Sequence, residues 1–182
     1  MATLGIIADT HIPDRASRLD ARVLAIFQSA RVEAILHAGD VSAPGVLKTL
    51  AEVAPVYAVR GNRDWVWLRR LPSTLTLHIE GVSIGLTHGH GSWKNYLADR
   101  IYLLFHDYRH EMLLPRLLSA FPHTRVIVFG HGHVPLNRWM GGQLLFNPGS
   151  PHFPHNKRIT PSLGLLHLSA GGDVKGEIIP LD

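Results

Sequence analysis

The chain has 182 residues, 46% of which are apolar, and its formal net charge is +4. A chain of this length and composition buries one sizeable core, so a disordered or fibrous protein is excluded. Cysteine is absent, which excludes disulfides and thiolate metal ligands.

The sequence also limits the possible binding partners and the cellular compartment of the protein. No apolar stretch approaches the roughly 18 residues of a membrane span, and the segment from Met1 to Asp9 has no basic leader. We therefore expect a cytoplasmic protein with no membrane partner. The positive charge attracts anionic partners of any size. The 13 histidines against 14 acidic residues are more informative, because histidine is the commonest metal ligand.

The first half of the chain alternates apolar runs with helical patterns. Pro44 opens the second helix, as is typical of a first helical turn. This alternation is the pattern of right-handed crossovers in a parallel sheet. The predicted elements are strand, helix, strand, helix and strand over Leu4–Ala8, Ala21–Ala30, Glu33–His37, Pro44–Val53 and Val56–Val59.

The second half combines hairpins with a helical segment. The pairs Glu80-Gly81 and Gly141-Gly142 are typical of two-residue hairpin turns. Apolar residues in the segment at about 92–121 recur at helical spacing, and Pro115 starts a second helix within it. The predicted strands are Leu75–Ile79, Val82–Thr87, Val126–Phe129, Leu136–Met140, Gln143–Asn147, Leu163–Ser169 and Val174–Pro180.

Together these elements predict one α/β domain over residues 1–182, with the helical segment at about 92–121 as an excursion from it. Two mixed sheets packed face to face, with helices on both outer faces, accommodate all of the elements. The expected architecture is thus a four-layer α/β/β/α sandwich.

Polar residues able to bind metal follow five of the predicted strands, at the point where each strand ends. In open α/β sheets the ligand crevice lies outside the carboxyl ends of the strands, so these five segments are expected to converge. The glycines beside them permit close approach of the backbone to a ligand. The segments are Asp9-Thr10-His11, Gly39-Asp40, Gly61-Asn62-Arg63-Asp64, His88-Gly89-His90 and Gly130-His131-Gly132-His133.

The ligand types suit a particular set of metals. Mixed imidazole and carboxylate ligands favour Mn²⁺, Fe²⁺, Zn²⁺, Co²⁺ or Ni²⁺ over Ca²⁺. Each motif alone has an ordinary interpretation: Asp40 as a helix-entry residue, Asn62 as a turn residue. The five segments together favour a metal site, because those ordinary explanations would all have to hold independently.

In this order the five segments resemble the motifs of the calcineurin-like metallophosphoesterase superfamily. They span residues 9 to 133, and the flanking strands extend the resemblance over nearly the whole chain. The short chain and the segment Asn147-Pro148-Gly149-Ser150 are similar to the small single-domain phosphodiesterases of bacteria and archaea, a branch related to the phosphoesterase-like retromer subunit. The resemblance implies a hydrolase that cuts phosphate esters by in-line attack of a hydroxide bridging two metal ions.

The resemblance also assigns ligands position by position. Two divalent transition-metal ions are expected, Mn²⁺ first, with Ni²⁺, Fe²⁺, Zn²⁺ or Co²⁺ as alternatives. All seven ligand positions carry competent side chains, which argues against a scaffold that has lost its chemistry. By resemblance the first ion would be held by Asp9, His11 and His133, the second by Asn62, His88 and His131, with Asp40 bridging them.

Arg63 departs from the family pattern, in which a histidine thought to protonate the leaving group commonly follows the asparagine. A guanidinium stays protonated at working pH and is a poor general acid. It can still bind phosphate oxygens and stabilise transition-state charge. We hypothesise that the enzyme prefers esters with good leaving groups, or takes a proton from His90 or water. The residues expected to act in catalysis are Asp40, Asn62, Arg63 and His90.

Three other features receive structural interpretations. The segment from Trp65 to Arg70 interleaves aromatic and basic residues, but a loop packed at the rim or in a dimer contact is favoured over base stacking, because no repeated stacking platform accompanies it. The segment at 92–121 is interpreted as covering the sheet or supporting an oligomer rather than as a substrate cap. His152 and His155 are interpreted as surface histidines near the site edge.

The predicted function is a metal-dependent phosphoesterase for a small phosphate ester, with a phosphodiesterase favoured over a monoesterase by the resemblance. One alternative is a protein-binding scaffold on the same fold. Another is a nuclease using the same dinuclear site, which steep salt dependence of polynucleotide binding would favour. Nucleic acid is thus open as a partner but not favoured, and a homo-oligomer is also open.

Overall fold

The computed structural model describes residues 1–152 and 158–181, so His155 lies outside the described residues. The helices are α1 (Ala21–Ser29), α2 (Pro44–Ala51), α3 (Trp93–Tyr102) and α4 (Leu114–Ala120), with a 3-10 turn at His110–Met112 before α4. The strands are β1 (Ala2–Ile7), β2 (Ala34–His37), β3 (Val56–Ala58), β4 (Thr74–Ile79), β5 (Val82–Thr87), β6 (Val126–Val128), β7 (Leu136–Met140), β8 (Gln143–Asn147), β9 (Ser162–Leu168) and β10 (Val174–Pro180).

The described strands form two mixed sheets of five strands each. The first has the order β10-β9-β1-β2-β3, in which β1, β2 and β3 are parallel and β9 and β10 are antiparallel additions. The second has the order β4-β5-β6-β8-β7, with parallel strands β5, β6 and β8 flanked by antiparallel β4 and β7. In both sheets the parallel strands therefore end at a common edge, where polar loops can meet.

Three apolar layers hold the sandwich together. Ile6 of the first sheet and Leu86 of the second are fully buried in the layer between the sheets. Phe27 of α1 packs in the layer that joins α1 and α2 to the first sheet. Phe121, after α4, packs in the layer over the second sheet. The predicted four-layer α/β/β/α sandwich is confirmed.

The predicted segments correspond to the observed elements, with ends that differ by one to three residues. β5, β7, β8 and β10 have the predicted bounds. Glu80 and Gly81 have φ values of 50° and 76°, and Gly141 and Gly142 have 57° and 83°, so both predicted hairpin turns have the left-handed backbone that such turns require.

The expectation that the 92–121 segment covers the sheet holds for α4 and not for α3, and the expectation that it supports an oligomer stays a prediction. Trp93, Leu97 and Ile101 of α3 are 68%, 50% and 53% exposed, so the apolar face of this helix does not cover the sheet. Asp99 is the buried residue among the described residues of α3. Asp99 pairs with Arg116 and His131, so the face of α3 that carries Asp99 lies against the rest of the protein and the apolar face points outward.

Among the described residues, none of the helices has both the length and the apolar character needed to cross a membrane.

Candidate metal centre

The five predicted segments converge at one edge of the sandwich. The loops after β1 and β2 are joined where the Asp9 N–H donates to the Gly39 carbonyl at 3.0 Å. The two sheets are joined where the His131 N–H donates to Asp9 Oδ2 at 3.0 Å. The loop after β5 meets the loop after β6, because the Gly130 N–H donates to the His88 carbonyl at 3.2 Å. The predicted convergence at the carboxyl ends of the strands is thereby observed.

The first group of candidate ligands is Asp9, His11 and His133. Asp9 Oδ1 lies 3.4 Å from His133 Nε2 and 3.8 Å from His11 Nε2. The two Nε2 atoms lie 3.1 Å apart. The three ligand atoms lie within 4.8 Å of one another, which is close enough for one ion to contact all of them.

The second group of candidate ligands shares Asp9 with the first and adds Asp40 and His88. His88 Nε2 lies 3.5 Å from Asp40 Oδ2, 3.9 Å from Asp9 Oδ1 and 3.1 Å from Asn62 Oδ1. His88 Nδ1 donates to the Ala38 carbonyl at 2.8 Å, which points Nε2 at the group. Burial acts to lower the pKa of His88, but the charge of Asp40 and a hydrogen bond to it raise that pKa to about 9, so a metal ion at Nε2 would take the place of a proton.

His131 completes this side of the site. Its Nδ1 lies 3.1 Å from Asn62 Oδ1, so the amide oxygen stands between His88 and His131. Asp40 Oδ2 stands between the two groups in the same way, at 3.7 Å from His11 Nε2 and 3.5 Å from His88 Nε2. All seven residues assigned as ligands by resemblance thus lie in one cluster.

The charges of the cluster are incompletely balanced by the chain itself. Asp9 is fully buried, and its Oδ1 has no hydrogen-bond partner among the described residues. Burial raises the pKa of Asp9 to about 7. Burial also acts to raise the pKa of Asp40, but the charge of His88 and a hydrogen bond from it hold that pKa well below its usual range. Asp40 therefore has a histidine hydrogen-bond partner, whereas Asp9 Oδ1 lies near three histidine nitrogens without a hydrogen bond from any of them.

A divalent metal ion fits this arrangement. A buried carboxylate oxygen without a hydrogen bond is costly, and the facing Nε2 atoms of His11 and His133 are both acceptors when each neutral ring carries its proton on Nδ1. Burial lowers the pKa of His11 to about 3, which favours its neutral form. An ion placed against Asp9 Oδ1 would satisfy all three atoms at once.

The backbone at the site is strained. A left-handed backbone at a residue other than glycine costs on the order of 1–3 kcal/mol and is concentrated at functional sites. The residues at the site that adopt it are Asp9, His11, Asp40, His131 and His133, with φ values of 54°, 50°, 54°, 73° and 55°. Neighbouring contacts must hold this geometry in place.

Asp64 supplies several of those contacts. Its Oδ2 accepts hydrogen bonds from the backbone N–H groups of Asp40 at 2.9 Å and Gly61 at 2.8 Å, and its Oδ1 accepts one from Ser42 at 2.8 Å. A Cβ at Gly61 would lie 2.2 Å from Asp40 Oδ1, so a side chain there would displace the carboxylate. Asp64 therefore fixes the loops after β2 and β3 against each other.

Arg63 and His90 occupy different surroundings. The Arg63 N–H donates to Asp40 Oδ1 at 2.8 Å, and its partly exposed guanidinium lies 3.8 Å from Asp14 at the rim of the site cavity. The His90 ring lies 5.3 Å from the His88 ring, measured between centroids. Burial and the charge of His88 lower the pKa of His90 to about 3, which favours the neutral ring. The catalytic roles of both residues stay predictions.

Sequence analysis missed the wall that α3 contributes. A cavity of about 180 Å³ lies over the cluster, and Tyr96, Asp99, Arg100 and Leu103 line it together with Tyr108. The first four recur at i, i+3, i+4 and i+7, which places them on one helical face. This second, partly polar stripe was a usable signal, but the apolar stripe beside it was read as the buried face.

Asp99 links α3 to a candidate ligand. Its Oδ2 lies 3.7 Å from His131 Nε2, on the side of the ring opposite Asn62, and it also forms an ion pair with Arg116 of α4. A carboxylate on the outer nitrogen of a ligating histidine fixes the orientation of the ring and raises its basicity.

His152 accepts a hydrogen bond from the Asp20 N–H at 3.3 Å, so it contacts the N-cap of α1.

Comparison with known proteins identifies the family. The family described as the calcineurin-like phosphoesterase superfamily domain matches residues 2–171. The chain belongs to that superfamily. It is therefore a metal-dependent phosphoesterase, with two groups of residues suited to divalent metal ions.

Three similar proteins agree with this assignment. A probable metallophosphoesterase of Methanothermobacter thermautotrophicus is 36% identical over 177 residues, which are 97% of this chain and 91% of that protein. The structure of Vps29 complexed with zinc from Entamoeba histolytica is similar in fold, with a TM-score of 0.67, 22% identity and 98% of each chain covered. The structure of an archaeal phosphodiesterase has a TM-score of 0.65 and 20% identity, covering 97% of this chain and 99% of that one.

The contact between Asp99 and His131 leads to a testable prediction about metal affinity. Asp99→Asn removes the charge that orients the ring, so the affinity for Mn²⁺ should fall about 10–100-fold while the fold is kept. Calorimetric titration of chelator-stripped protein measures the affinity, and circular dichroism checks the fold. Asp107→Asn, an exposed residue of the same segment, is the matched control. Equal affinities of the two variants would contradict the role of Asp99.

Proposed function

We propose that the protein is a phosphodiesterase with a dinuclear metal site at the edge of the sandwich. The observation that carries the proposal is the position of Asp40 Oδ2 between the two ligand groups, at 3.7 Å from His11 Nε2 and 3.5 Å from His88 Nε2. A carboxylate in this position offsets the repulsion between two neighbouring cations. The similarity of the chain to an archaeal phosphodiesterase supports the same function.

The proposed ligands divide into two sets that meet at Asp40. Mixed imidazole, carboxylate and amide oxygen ligands suit divalent transition metals, of which we propose Mn²⁺ first, with Ni²⁺, Fe²⁺, Zn²⁺ and Co²⁺ as alternatives. The zinc in the similar Vps29 structure supports binding of a divalent ion at this fold. In this proposal Asp9, His11 and His133 hold one ion, and Asn62, His88 and His131 hold the other.

The residues of the chain then have separate roles. When bound, the two ions activate water and stabilise the charge that develops in an in-line displacement at phosphorus. Asp64 keeps Asp40 in position through its backbone hydrogen bonds. Arg63 at the cavity rim binds a non-bridging phosphate oxygen through its guanidinium. Tyr96 and Tyr108 close the cavity on the side of α3 and restrict the entry of water.

A diester substrate suits the shape of the site better than a monoester. The cavity over the cluster and a second cavity beside it both include Asn62, Arg63 and Tyr96 in their walls. A phosphodiester has two ester groups, and a phosphate held at Asn62 and Arg63 could direct one group into each cavity. A monoester would leave one of the two cavities without a ligand group.

A protein-binding role is the second candidate, and one observation favours it. Trp93, Leu97 and Ile101 form an exposed apolar face on α3, and exposed apolar faces are frequent in protein interfaces. The fold similarity to Vps29 is consistent with such a role. The intact ligand set favours the enzyme, because a scaffold does not require those seven side chains. The nuclease alternative and a homo-oligomer stay predictions.

Metal restoration tests the proposed function. Chelator-stripped protein should hydrolyse bis-p-nitrophenyl phosphate faster than p-nitrophenyl phosphate once Mn²⁺ is restored, and Asp40→Asn should lower kcat/KM by on the order of 10²–10³-fold, as for other charge-stabilising groups. Release of p-nitrophenolate measures both reactions. The control is Asp173→Asn in the exposed turn between β9 and β10. Failure of every candidate metal to restore turnover would favour the protein-binding role.

The presence of Arg63 leads to a separate prediction about how the rate depends on the leaving group. Since its guanidinium donates a proton poorly, the wild-type rate should fall steeply from p-nitrophenyl to phenyl esters of methyl phosphate. Arg63→His should raise kcat/KM for the phenyl ester by on the order of 10²-fold, which is the low end of general acid catalysis. The ratio of kcat/KM for the two esters is the measurement. An unchanged ratio in the variant would show that proton transfer to the leaving group does not depend on this position.

A further inference from the structure

The segment from Trp65 to Trp67, directly after the Asn62 loop, has an unusual surface. Trp65, Val66 and Trp67 are 56%, 71% and 73% exposed. The sequence interpretation was a loop packed at the rim or in a dimer contact. The structure places all three in the wall of a second cavity of about 500 Å³, together with Asn62, Arg63 and Tyr96.

This segment is held firmly despite its exposure. Leu68, the next residue, is 8% exposed and packs in the apolar layer of the first sheet, and its N–H donates to the Asp64 carbonyl at 3.1 Å. The Arg60 guanidinium lies 4.3 Å from the centroid of the Trp65 ring and donates to the Arg69 carbonyl at 2.9 Å. The backbone on both sides of the segment and the Trp65 ring are therefore held in place, while the Trp67 ring stays open to a ligand.

The second cavity is continuous with the metal centre. Asn62 and Arg63 line both cavities, and Asn62 Oδ1 lies 3.1 Å from each of the candidate ligands His88 and His131. A group that occupies the second cavity can therefore belong to a phosphate ester held at the cluster. The aromatic wall lies on the path of one ester group of a diester.

We propose that this second cavity is a nucleoside subsite, in which Trp65, Trp67 and Tyr96 stack on the base of a nucleoside phosphodiester whose phosphate lies at Asn62 and Arg63. This inference rests on the proposed phosphodiesterase function. Aromatic side chains bind bases through their π-faces, with about 1–3 kcal/mol for each stacked base. Arg63 lines the cavity and Arg60 stacks on Trp65 beside it, so positive charge lies close to the position of an anionic ester.

The polar part of the wall favours a base over an acyl chain. Asp14, Ser42 and Asn62 line the cavity beside the indoles, and Ser42 Oγ donates to Asp14 Oδ2 at 3.0 Å. An acyl chain would cover these polar groups without offering hydrogen bonds. A base or sugar offers both an apolar face and hydrogen-bonding edges, so it matches the mixed wall.

Two substrates with the same leaving group test the subsite. The Mn²⁺-loaded protein should hydrolyse the p-nitrophenyl ester of thymidine 5′-phosphate with a kcat/KM about tenfold or more above that of p-nitrophenyl methyl phosphate, mainly through KM. Trp67→Ala and Trp65→Ala should bring the ratio of the two kcat/KM values close to one, and Trp67→Phe should keep it. Release of p-nitrophenolate follows both reactions.

Trp139 of β7 provides the matched control. It is 45% exposed and lies 4.5 Å from the Arg125 guanidinium, so it resembles Trp65 in exposure and stacking, but it lines neither cavity among the described residues. Trp139→Ala should leave the ratio unchanged. A wild-type ratio near one, or a ratio that survives in Trp67→Ala and Trp65→Ala, would overturn the subsite while the phosphodiesterase function stands.

Binding separates failure of the subsite from failure of the function. If neither ester is hydrolysed with any metal, the proposed function fails. Calorimetric titration with thymidine 5′-monophosphate then reports the subsite directly. Binding that Trp67→Ala abolishes and Trp139→Ala retains would support an aromatic nucleoside site, and absence of binding to the wild type would overturn it.

Discussion

Two carboxylates, Asp9 and Asp40, are buried at the edge where the parallel strands of both sheets end. Because burial makes unbalanced charge costly, the surrounding side chains and any bound ion must offset it. Asp40 has a close partner in His88, while Asp9 Oδ1 has no hydrogen-bond partner among the described residues. The strained backbone, the facing histidines and the hydrogen bonds to Asp64 are all consistent with a site built for added positive charge.

Much of this arrangement could be predicted from the sequence. Hydrophobic periodicity predicted the strands and helices up to Val59, and the Gly141-Gly142 pair predicted a hairpin turn. Both signals are available because periodicity and turn chemistry are local properties of the sequence. Convergence of the five polar segments followed from the rule for the carboxyl ends of parallel strands. The pairing of ligands came from the family resemblance, since spacing in a sequence does not show which side chains meet.

The position of α3 could not be predicted in the same way. Its apolar stripe has the spacing of a buried face, yet Trp93, Leu97 and Ile101 are exposed. The helix is fixed instead by Asp99, through Arg116 and His131, and such contacts between distant residues leave no periodic signal. The sequence interpretation of the Trp65 segment as a rim loop is compatible with the structure, but the cavity that it forms with Tyr96 of the distant helix has no signal in the sequence.

Helix α3 and the Trp65–Trp67 segment line the two cavities beside the candidate metal centre. The ligand cluster and Asp64 belong to the strand ends, whereas α3 and the Trp65–Trp67 segment form the walls that a substrate would contact. In the function that we propose, chemistry and selectivity are thus carried by different parts of the chain. Changes in the walls can alter the substrate while the cluster is kept.

The central claim is that two metal ions lie on either side of the Asp40 carboxylate, and anomalous diffraction from crystals of Mn²⁺-loaded protein tests it most directly. The account predicts two anomalous peaks about 3.5–4 Å apart. One should lie against Asp9, His11 and His133 and the other against Asn62, His88 and His131, with Asp40 between them. A single peak, or peaks away from Asp40, would contradict it.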